Sequence, residues 1–408
     1  MELDSAFVRD QFPAFAEPSL QGQAFFENAG GSFTCRQVID RLTRFYTQRK
    51  VQPYAPYEAS RLAGEEMDEA RRRLAAMLGV KTHELSFGPS TTQNTYVLAQ
   101  AFAQKMRPGD AIVVTNQDHE ANTGPWRRLA DRGFEVREWQ IDPNTGHLDP
   151  EDLKALLDDK VRLVCFPHCS NVVAEINPVA EIVKMAHDAG AYACVDGVSY
   201  APHGFADVGA MGADVYLFSA YKTYGPHQGI MAIREELGAW LPNQGHVFNG
   251  DTLYKRFTPA GPDHAQVAAC AGMADYVDAL HRHHGGGADA DDRTRAAKVH
   301  DLMRDHEIKL LQPLLDAVSE RNSLRLLGPS RAEGRAPTVA LALNSGGEEA
   351  AARLAEHGIM TGGGDFYAGR ALQGMGVDPS RGVLRLSFTH YTTKDEIDSL
   401  INALDRVL

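Results

Sequence analysis

The chain has 408 residues, 43% of them hydrophobic and 23% charged, which is the composition of a folded globular protein. This length exceeds what one hydrophobic core usually serves, so we expect two domains. A net charge of −13 argues against nucleic-acid binding, which relies on clustered lysine and arginine. There is no signal-peptide pattern at the start and no apolar run near the ~20 residues of a membrane span. With five scattered cysteines, the sequence predicts a cytoplasmic protein with reduced, mostly buried thiols.

Strands and helices are predicted to alternate along most of the chain. Helical spacing indicates helices over Arg61–Leu78 and Thr95–Met106, with a short strand at 84–87 between them. Repeated strand–helix alternation predicts an α/β fold with a mostly parallel sheet covered on both faces. Ligands of such sheets bind beyond the carboxyl ends of the strands. The main strands are predicted at Ala111–Thr115, Leu163–Phe166, Ala191–Val195, Val215–Phe218 and Ile230–Ile233.

The composition changes at His281–Gly287, where three histidines precede three glycines. We interpret this run as a solvated helix end and a linker, because no carboxylate or thiol stands at metal-ligand spacing. It predicts a large domain over residues 21–285 and a smaller α+β domain over 286–408, which residues 1–20 join as a lead-in. The small domain is predicted to hold a long helix, strands at 338–343 and 382–387, and a terminal helix from Thr393.

Two charged residues follow predicted buried strands in a pattern that suits one cofactor. Lys222 comes directly after the run Val215–Phe218 and Ser219-Ala220-Tyr221, and Asp196 follows the preceding strand. Pyridoxal phosphate binds covalently to a lysine amine and sets its pyridine nitrogen against a carboxylate. Taken alone, the pattern is better explained by two surface charges. The neighbouring strand ends decide against that explanation.

Three further strand ends carry polar residues that such a cofactor uses. Phe87–Asn94 joins a strand to a helix, and its small hydroxyl residues favour a phosphate at the helix N-terminus. A simple helix cap by Ser90 or Thr91 is the alternative. His119 follows the next strand, where its ring stacks on an aromatic cofactor or caps a loop. Asn171, after the strand beyond, hydrogen-bonds a phenolic oxygen or a carboxylate, or only starts a turn.

Together, these ordered strand ends resemble the class V aminotransferase family, and within it the cysteine desulfurase branch. The similarity extends from Phe26-Glu27-Asn28-Ala29-Gly30-Gly31 to the C-terminal helix. It implies an aspartate aminotransferase-like α/β fold, with a mostly parallel, seven-stranded type of sheet in the pyridoxal phosphate domain and a smaller α+β domain after it. The most specific motifs are Ser170-Asn171, Val195-Asp196-Gly197, and Ser219 to Lys222 followed by Tyr224-Gly225-Pro226.

The resemblance implies a role for each matching side chain. Lys222 holds the cofactor and moves the Cα proton, Asp196 keeps the pyridine nitrogen protonated, and His119 stacks on the ring. Arg385 takes the α-carboxylate of the substrate, for which a guanidinium fork is well shaped. Asn171 contacts the ring oxygen or the substrate. The remaining cofactor-binding residues are Thr91, Thr92 and Ser219 at the phosphate, together with Ser199 and Tyr221.

The chain departs from the desulfurase pattern where the reaction type is decided. Desulfurases carry a mobile cysteine in the loop before the substrate arginine, whereas the equivalent loop here, Gly362–Ala368, has none. An enzyme persulfide requires a thiolate nucleophile at that place. Tyr367 stands near it, as a general acid or as a pocket wall. We favour the pocket wall, because an unperturbed tyrosine is a poor acid–base group. Three further positions differ from the family pattern. Val198-Ser199 stands in place of a glutamine, Tyr221 in place of a histidine, and Ala260–Asp263 in place of a phosphate-contacting segment.

These observations predict a pyridoxal phosphate enzyme that acts on a small amino acid without a metal. Amino transfer and β-elimination of the C–S lyase type are both open, and neither uses an enzyme persulfide. Amino-acid racemisation or epimerisation, and a catalytically quiet cofactor-binding partner protein, are the alternatives. The resemblance further predicts a homodimer with the active site at the interface, to which the segment around Asn249-Gly250-Asp251 contributes. No nucleic-acid or membrane partner is expected.

Overall fold

The structure is a computed structural model that describes residues 2–321 and 323–408. Its strands are short and mostly buried, and their side chains are largely aliphatic, as expected for strands covered on both faces. In chain order they are β1 (Ala24–Phe25), β2 (Leu85–Gly88), β3 (Ala111–Thr115), β4 (Glu135–Trp139), β5 (Val161–Pro167), β6 (Tyr192–Asp196), β7 (Val215–Ser219), β8 (Gly229–Ile233), β9 (Leu324–Leu327), β10 (Thr338–Leu343), β11 (Ile359–Met360), β12 (Gly362–Gly364) and β13 (Val383–Ser387).

Three sheets organise these strands. The largest has seven strands in the order β2-β8-β7-β6-β5-β3-β4, and within it β8 alone runs antiparallel to its neighbours β7 and β2. The second has four antiparallel strands in the order β12-β13-β10-β9. The third is a parallel pair, β1 and β11, which ties the start of the chain to the C-terminal part. The α/β prediction with a seven-stranded, mostly parallel sheet is confirmed.

Helices separate most strands and cover the large sheet. No helix within the described ranges is long and apolar enough to cross a membrane. The helices are α1 (Ser5–Asp10), α2 (Arg36–Arg44), α3 (Glu58–Met77), α4 (Thr91–Lys105), α5 (Glu120–Arg127), α6 (Pro150–Leu156), α7 (Val179–Asp188), α8 (Val208–Met211), α9 (Glu235–Trp240), α10 (His264–Ala269), α11 (Ala271–His283), α12 (Asp292–Ser319), α13 (Gly347–Ala355), α14 (Gly369–Gly374) and α15 (Lys394–Val407).

Helix α4 and strand β4 depart from the sequence prediction for clear reasons. Helix α4 begins at Thr91 rather than Thr95, because the Ser90 side chain accepts a hydrogen bond from the backbone N–H of Gln93 and caps the helix there. Strand β4 was not predicted. It lies at the edge of the sheet, and three of its five residues, Glu135, Arg137 and Glu138, are charged. It therefore lacks the apolar run that marks the central strands.

The histidine run at the end of α11 is not a solvated linker. His281 and His284 are buried. The Nδ1–H of His284 donates to Leu280 O, and its Nε2 accepts from the backbone N–H of Asp4. The ring of His283 stacks on Phe7 with 3.7 Å between centroids. The expectation of a solvated helix end is therefore wrong for His281 and His284, whereas Arg282 and His283 are exposed as expected. His283 and His284 contact the first helix of the chain and its cap.

Candidate active site

Parallel strands of the large sheet end at a common edge, and a cavity of about 480 Å³ opens there. Its walls come from the segments that follow β3, β5, β6 and β7, from the start of α4, and from the loop after β12. This is the edge at which open α/β sheets bind ligands. The cavity is lined by all the residues predicted from the sequence for the site: Thr91, Thr92, His119, Asn171, Asp196, Ser199, Ser219, Tyr221, Lys222, Tyr367 and Arg385.

Lys222 and Asp196 follow adjacent strands and face the same cavity. Asp196 is the last residue of β6 and pairs with Leu217 of β7, while Lys222 ends the short turn after β7. Burial raises the pKa of Asp196 to about 6, against the opposing effects of a hydrogen bond from the Val198 N–H and of the Lys222 charge. Burial and the charge of Arg385 lower the pKa of Lys222 to about 8. A lysine amine tuned this way is much more often unprotonated than an ordinary one.

His119 presents a neutral ring to the cavity. Its Nδ1 accepts a hydrogen bond of 3.0 Å from the backbone N–H of Ala121 at the start of α5, so that nitrogen carries no proton. Burial, then the charges of Lys222 and Arg385, lower the pKa of His119 to about 3. Asp118 fixes the segment, since its carboxylate accepts from the His119 N–H at 2.8 Å. A neutral imidazole held by its backbone can lie flat against an aromatic ring.

The part of the cavity beside the start of α4 is suited to a phosphate. The hydroxyl groups of Thr91 and Ser219 are hydrogen-bonded at 2.8 Å, and both residues are buried beside the N-terminus of α4. Thr92 follows and is exposed toward the cavity mouth. A helix N-terminus with free N–H groups and hydroxyl donors stabilises an anion. A Cβ on Gly229 would lie 2.4 Å from the carbonyl carbon of Ser90, so glycine is required for this close packing.

Arg385 lines the cavity from β13. It stands in β13, is buried, and its Nη2 donates to Glu27 Oε1 at 2.7 Å. The guanidinium carbon lies 3.7 Å from the centroid of the Phe366 ring. Phe366 and Tyr367 both have positive φ, 51° and 55°, a conformation that is uncommon for such residues. The Asn171 side-chain amide donates to Phe366 O at 2.9 Å and holds this loop over the cavity.

These residues fit pyridoxal phosphate. The Asn171 Oδ1 atom is buried at the cavity wall and has no hydrogen-bond partner among the described residues, and a ring hydroxyl would supply one. Lys222 offers an amine with a lowered pKa, Asp196 a buried carboxylate, and the start of α4 an anion site. The donor set therefore matches each functional group of the cofactor.

Three residues at the site were not assigned a role from the sequence. Glu27 pairs with Arg385, Asp118 orients His119, and Phe366 stacks on Arg385. A local signal existed for Asp118, which directly precedes His119. Glu27 stands in the first motif of the resemblance, but its partner is 358 positions away, so no spacing rule reveals the pair.

The cysteines of the described residues lie outside the loop that precedes β13. All five cysteines are buried. Of these, Cys169 lines the cavity, where its S–H contacts Ala174 O at 3.3 Å and burial raises its pKa to about 12. The loop over residues 362–368 contains no cysteine. This loop therefore presents no thiol to the cavity.

The sheet, the cavity at its edge and the lysine–carboxylate pair define a pyridoxal phosphate-dependent enzyme. The chain belongs to the class V aminotransferase family, whose sequence model matches residues 24–257 and 296–400. It is 32% identical to an aminotransferase-like protein, FGM3, of Gibberella zeae, with 98% of each chain covered. It is 30% identical to a cysteine desulfurase of Serratia proteamaculans, over 98% of this chain and 97% of that one. The crystal structure of the cysteine desulfurase CsdA from Escherichia coli superposes with a TM-score of 0.81 at 25% identity, covering 100% and 99% of the two chains.

Proposed function

We propose that this enzyme transfers the amino group of a small amino acid, without forming an enzyme persulfide. One observation carries the proposal: Lys222, Asp196 and Arg385 line one cavity, while the loop that closes its substrate end has Tyr367 and no thiol. The similarity to a protein named aminotransferase-like, over 98% of both chains, supports it.

Each side chain has a distinct task in this reaction. When bound, pyridoxal phosphate supplies a ring that accepts the electron pair released at the substrate Cα. Arg385 binds the α-carboxylate and so orients Cα toward Lys222. The Lys222 amine accepts the Cα proton and returns it to another carbon, which its lowered pKa favours. The Asp196 carboxylate holds a positively charged ring nitrogen, and neutral His119 packs against the ring without opposing that charge.

A second candidate is β-elimination from a sulfur-bearing amino acid. The relatives named cysteine desulfurases, 30% and 31% identical to this chain, favour a substrate of that kind. Elimination uses the same lysine, aspartate and arginine, and it also needs no enzyme thiol. The product distinguishes it from amino transfer, since elimination releases ammonia and leaves the cofactor ready for another turnover.

A titration of the cofactor-loaded protein with single amino acids, in the absence of any keto acid, tests the proposal. For amino transfer we expect the visible cofactor absorbance to disappear and one equivalent of keto acid to form. A persisting visible band with accumulating keto acid and ammonia would establish elimination instead. Formation of alanine and a protein persulfide from cysteine would contradict both, and no response to any amino acid would favour a catalytically quiet protein.

Lys222→Ala and Lys309→Ala provide the matched variants. Lys309 is exposed on α12, far along the chain from the site, with its Nζ close to Glu2 at 3.2 Å. We expect Lys222→Ala to lose the covalent cofactor absorbance and at least about 10³-fold in rate, because the general base and the covalent attachment are both removed. Lys309→Ala should retain both. An unchanged spectrum for Lys222→Ala would refute the cofactor assignment to this lysine.

A further inference from the structure

Arg385 already has a carboxylate partner within its own chain. Its Nη2 donates to Glu27 Oε1 at 2.7 Å, and its Nη1 is 3.5 Å from Asn171 O. The pair is incompletely satisfied: Arg385 Nε and Glu27 Oε2 are both buried without a hydrogen-bond partner among the described residues. Buried polar atoms are normally paired, so two such atoms on one ion pair indicate that a ligand completes the arrangement.

The position of Glu27 conflicts with a second carboxylate on the same arginine. A carboxylate binds a guanidinium best through two parallel N–H bonds, and both available forks of Arg385, Nε with Nη2 and Nη1 with Nη2, include the nitrogen that Glu27 holds. A substrate carboxylate would therefore share Nη2 with Glu27 or replace it. Two carboxylates on one buried cation repel each other strongly, so replacement is favoured over sharing.

The surroundings of Glu27 allow it to leave. Its carboxylate lies in a slot between two glycines, since a Cβ on Gly30 would lie 2.8 Å from Oε1 and a Cβ on Gly362 2.8 Å from Oε1 and Oε2. Its ion pair is with Arg385, and no hydrogen bond to another described residue holds its carboxylate. The Glu27 side chain lines the cavity and is 27% exposed, so it borders the open space into which it would move.

We propose that Glu27 is an exchangeable counter-ion of Arg385 and thereby a specificity-determining residue. An α-amino acid or α-keto acid displaces Glu27 and takes the arginine with its own carboxylate. An amine that carries no carboxylate next to its amino group binds while Glu27 remains paired with Arg385, because Glu27 then neutralises the charge of the arginine. The site thus admits both substrate classes. The second half of this inference rests on the proposed amino-group chemistry, whereas the displacement of Glu27 by a carboxylate does not.

Binding of propionate to the cofactor-loaded protein, measured by calorimetry, tests the displacement. Propionate has a carboxylate but no amino or keto group, so its binding involves no reaction. We expect Glu27→Gln to bind propionate about tenfold more tightly than the wild type, because the competing internal anion is removed. Arg385→Lys should bind it more weakly than either, which places the anion at Arg385. Unchanged or weaker binding by Glu27→Gln would overturn the proposal.

Two further variants keep this test decisive. Glu120→Gln removes one negative charge from another side chain that lines the same cavity, and its affinity should stay within about twofold of the wild type if the effect requires the pair with Arg385 rather than the net charge. Glu27→Asp retains the charge but is one methylene shorter, so it should also bind propionate more tightly, by less than Glu27→Gln. It replaces Glu27→Gln if that variant fails to fold.

The substrate preference is measured with alanine and ethylamine, which differ by the carboxylate alone. In Glu27→Gln we expect a lower KM for alanine and a higher KM for ethylamine, with the ratio of kcat/KM for the two shifted by at least about tenfold toward alanine. A rise of both KM values together would show that Glu27 only holds Arg385 in place and would refute the exchange. If no amino compound reacts at all, the proposed function fails, and the propionate affinities still decide the role of Glu27.

Discussion

Lys222, Arg385, Asp196 and His119 set one another's charge within a single cavity. Burial is the largest cause of the lowered pKa of both His119 and Lys222. The charges of Lys222 and Arg385 lower the pKa of His119 further, and the charge of Arg385 also lowers the pKa of Lys222. The histidine is therefore neutral and the lysine is close to half neutral near pH 8. These are the protonation states that a stacking ring and a nucleophilic amine require.

The pH dependence of cofactor attachment follows from the Lys222 pKa. Only the unprotonated amine attacks an aldehyde, so the rate should rise about tenfold per pH unit below pH 8 and level off above it. Stopped-flow absorbance of cofactor-free protein mixed with pyridoxal phosphate measures this rate. Arg385→Gln should move the inflection to higher pH, because a neighbouring cation is removed. An inflection near 10.5, the ordinary lysine value, would contradict the prediction.

Helix α12 packs into two separate hydrophobic cores. Ala296, Val299 and Met303 pack in the core of the large sheet. Leu311 and Leu315, farther along the same helix, pack in the core of the small antiparallel sheet. The predicted domain boundary near residue 285 precedes this helix, so we propose that α12 is the rigid connection between the predicted domains.

A buried ion cluster lies where α12 passes from one core to the other. Glu307 is fully buried and pairs with His203 at 3.1 Å and Arg304 at 3.3 Å. We expect Glu307→Ala to lower the free energy of unfolding by about 3–5 kcal/mol, because it leaves the buried Arg304 guanidinium without its carboxylate partner. Urea denaturation measures this change. Asp305→Ala, at an exposed position two residues away, should cost less than about 0.5 kcal/mol, and equal costs for the two variants would contradict the prediction.

At the scale of the whole molecule, large apolar side chains are exposed in and beside one surface groove. Val247 is 93% and Phe248 83% exposed. Phe248 lines a groove of about 290 Å³ together with Tyr54 and segment 260–262. Large exposed apolar residues that cluster in this way are typical of protein interfaces. Since Asn249-Gly250-Asp251 directly follows them, we propose that this groove is part of a homodimer interface.

Sedimentation velocity tests the homodimer. We expect the wild type to sediment as a dimer and Phe248→Asp as a monomer with reduced activity, because the charge disrupts an apolar contact and an interfacial active site loses its second subunit. Ala352→Asp, at an exposed position on α13, is the control and should remain dimeric. A wild-type monomer with full activity would refute the prediction.

Most of the fold and the centre of the site were accessible from the sequence because their signals are local. Buried parallel strands appear as short apolar runs, and β3 and β10 have the bounds that these runs predict. Parallel strands end at one edge, so polar residues after β3, β5, β6 and β7 necessarily converge there. For this reason the predicted residues His119, Asn171, Asp196 and Lys222 all line one cavity.

Features that depend on contacts between distant segments could not be predicted from the sequence. The edge strand β4, the burial of His281 and His284, and the ion cluster at Glu307 leave no periodic trace, because each is determined by what packs against it. The clearest case is the Glu27–Arg385 pair. The aspartate and the lysine follow recognisable strands, so their meeting at one edge of the sheet was predictable from the chain, whereas the arginine was assigned a role only through the family resemblance. Glu27, near the start of the chain, neutralises this arginine because the backbone of residue 27 pairs with β13. No local sequence pattern specifies this contact.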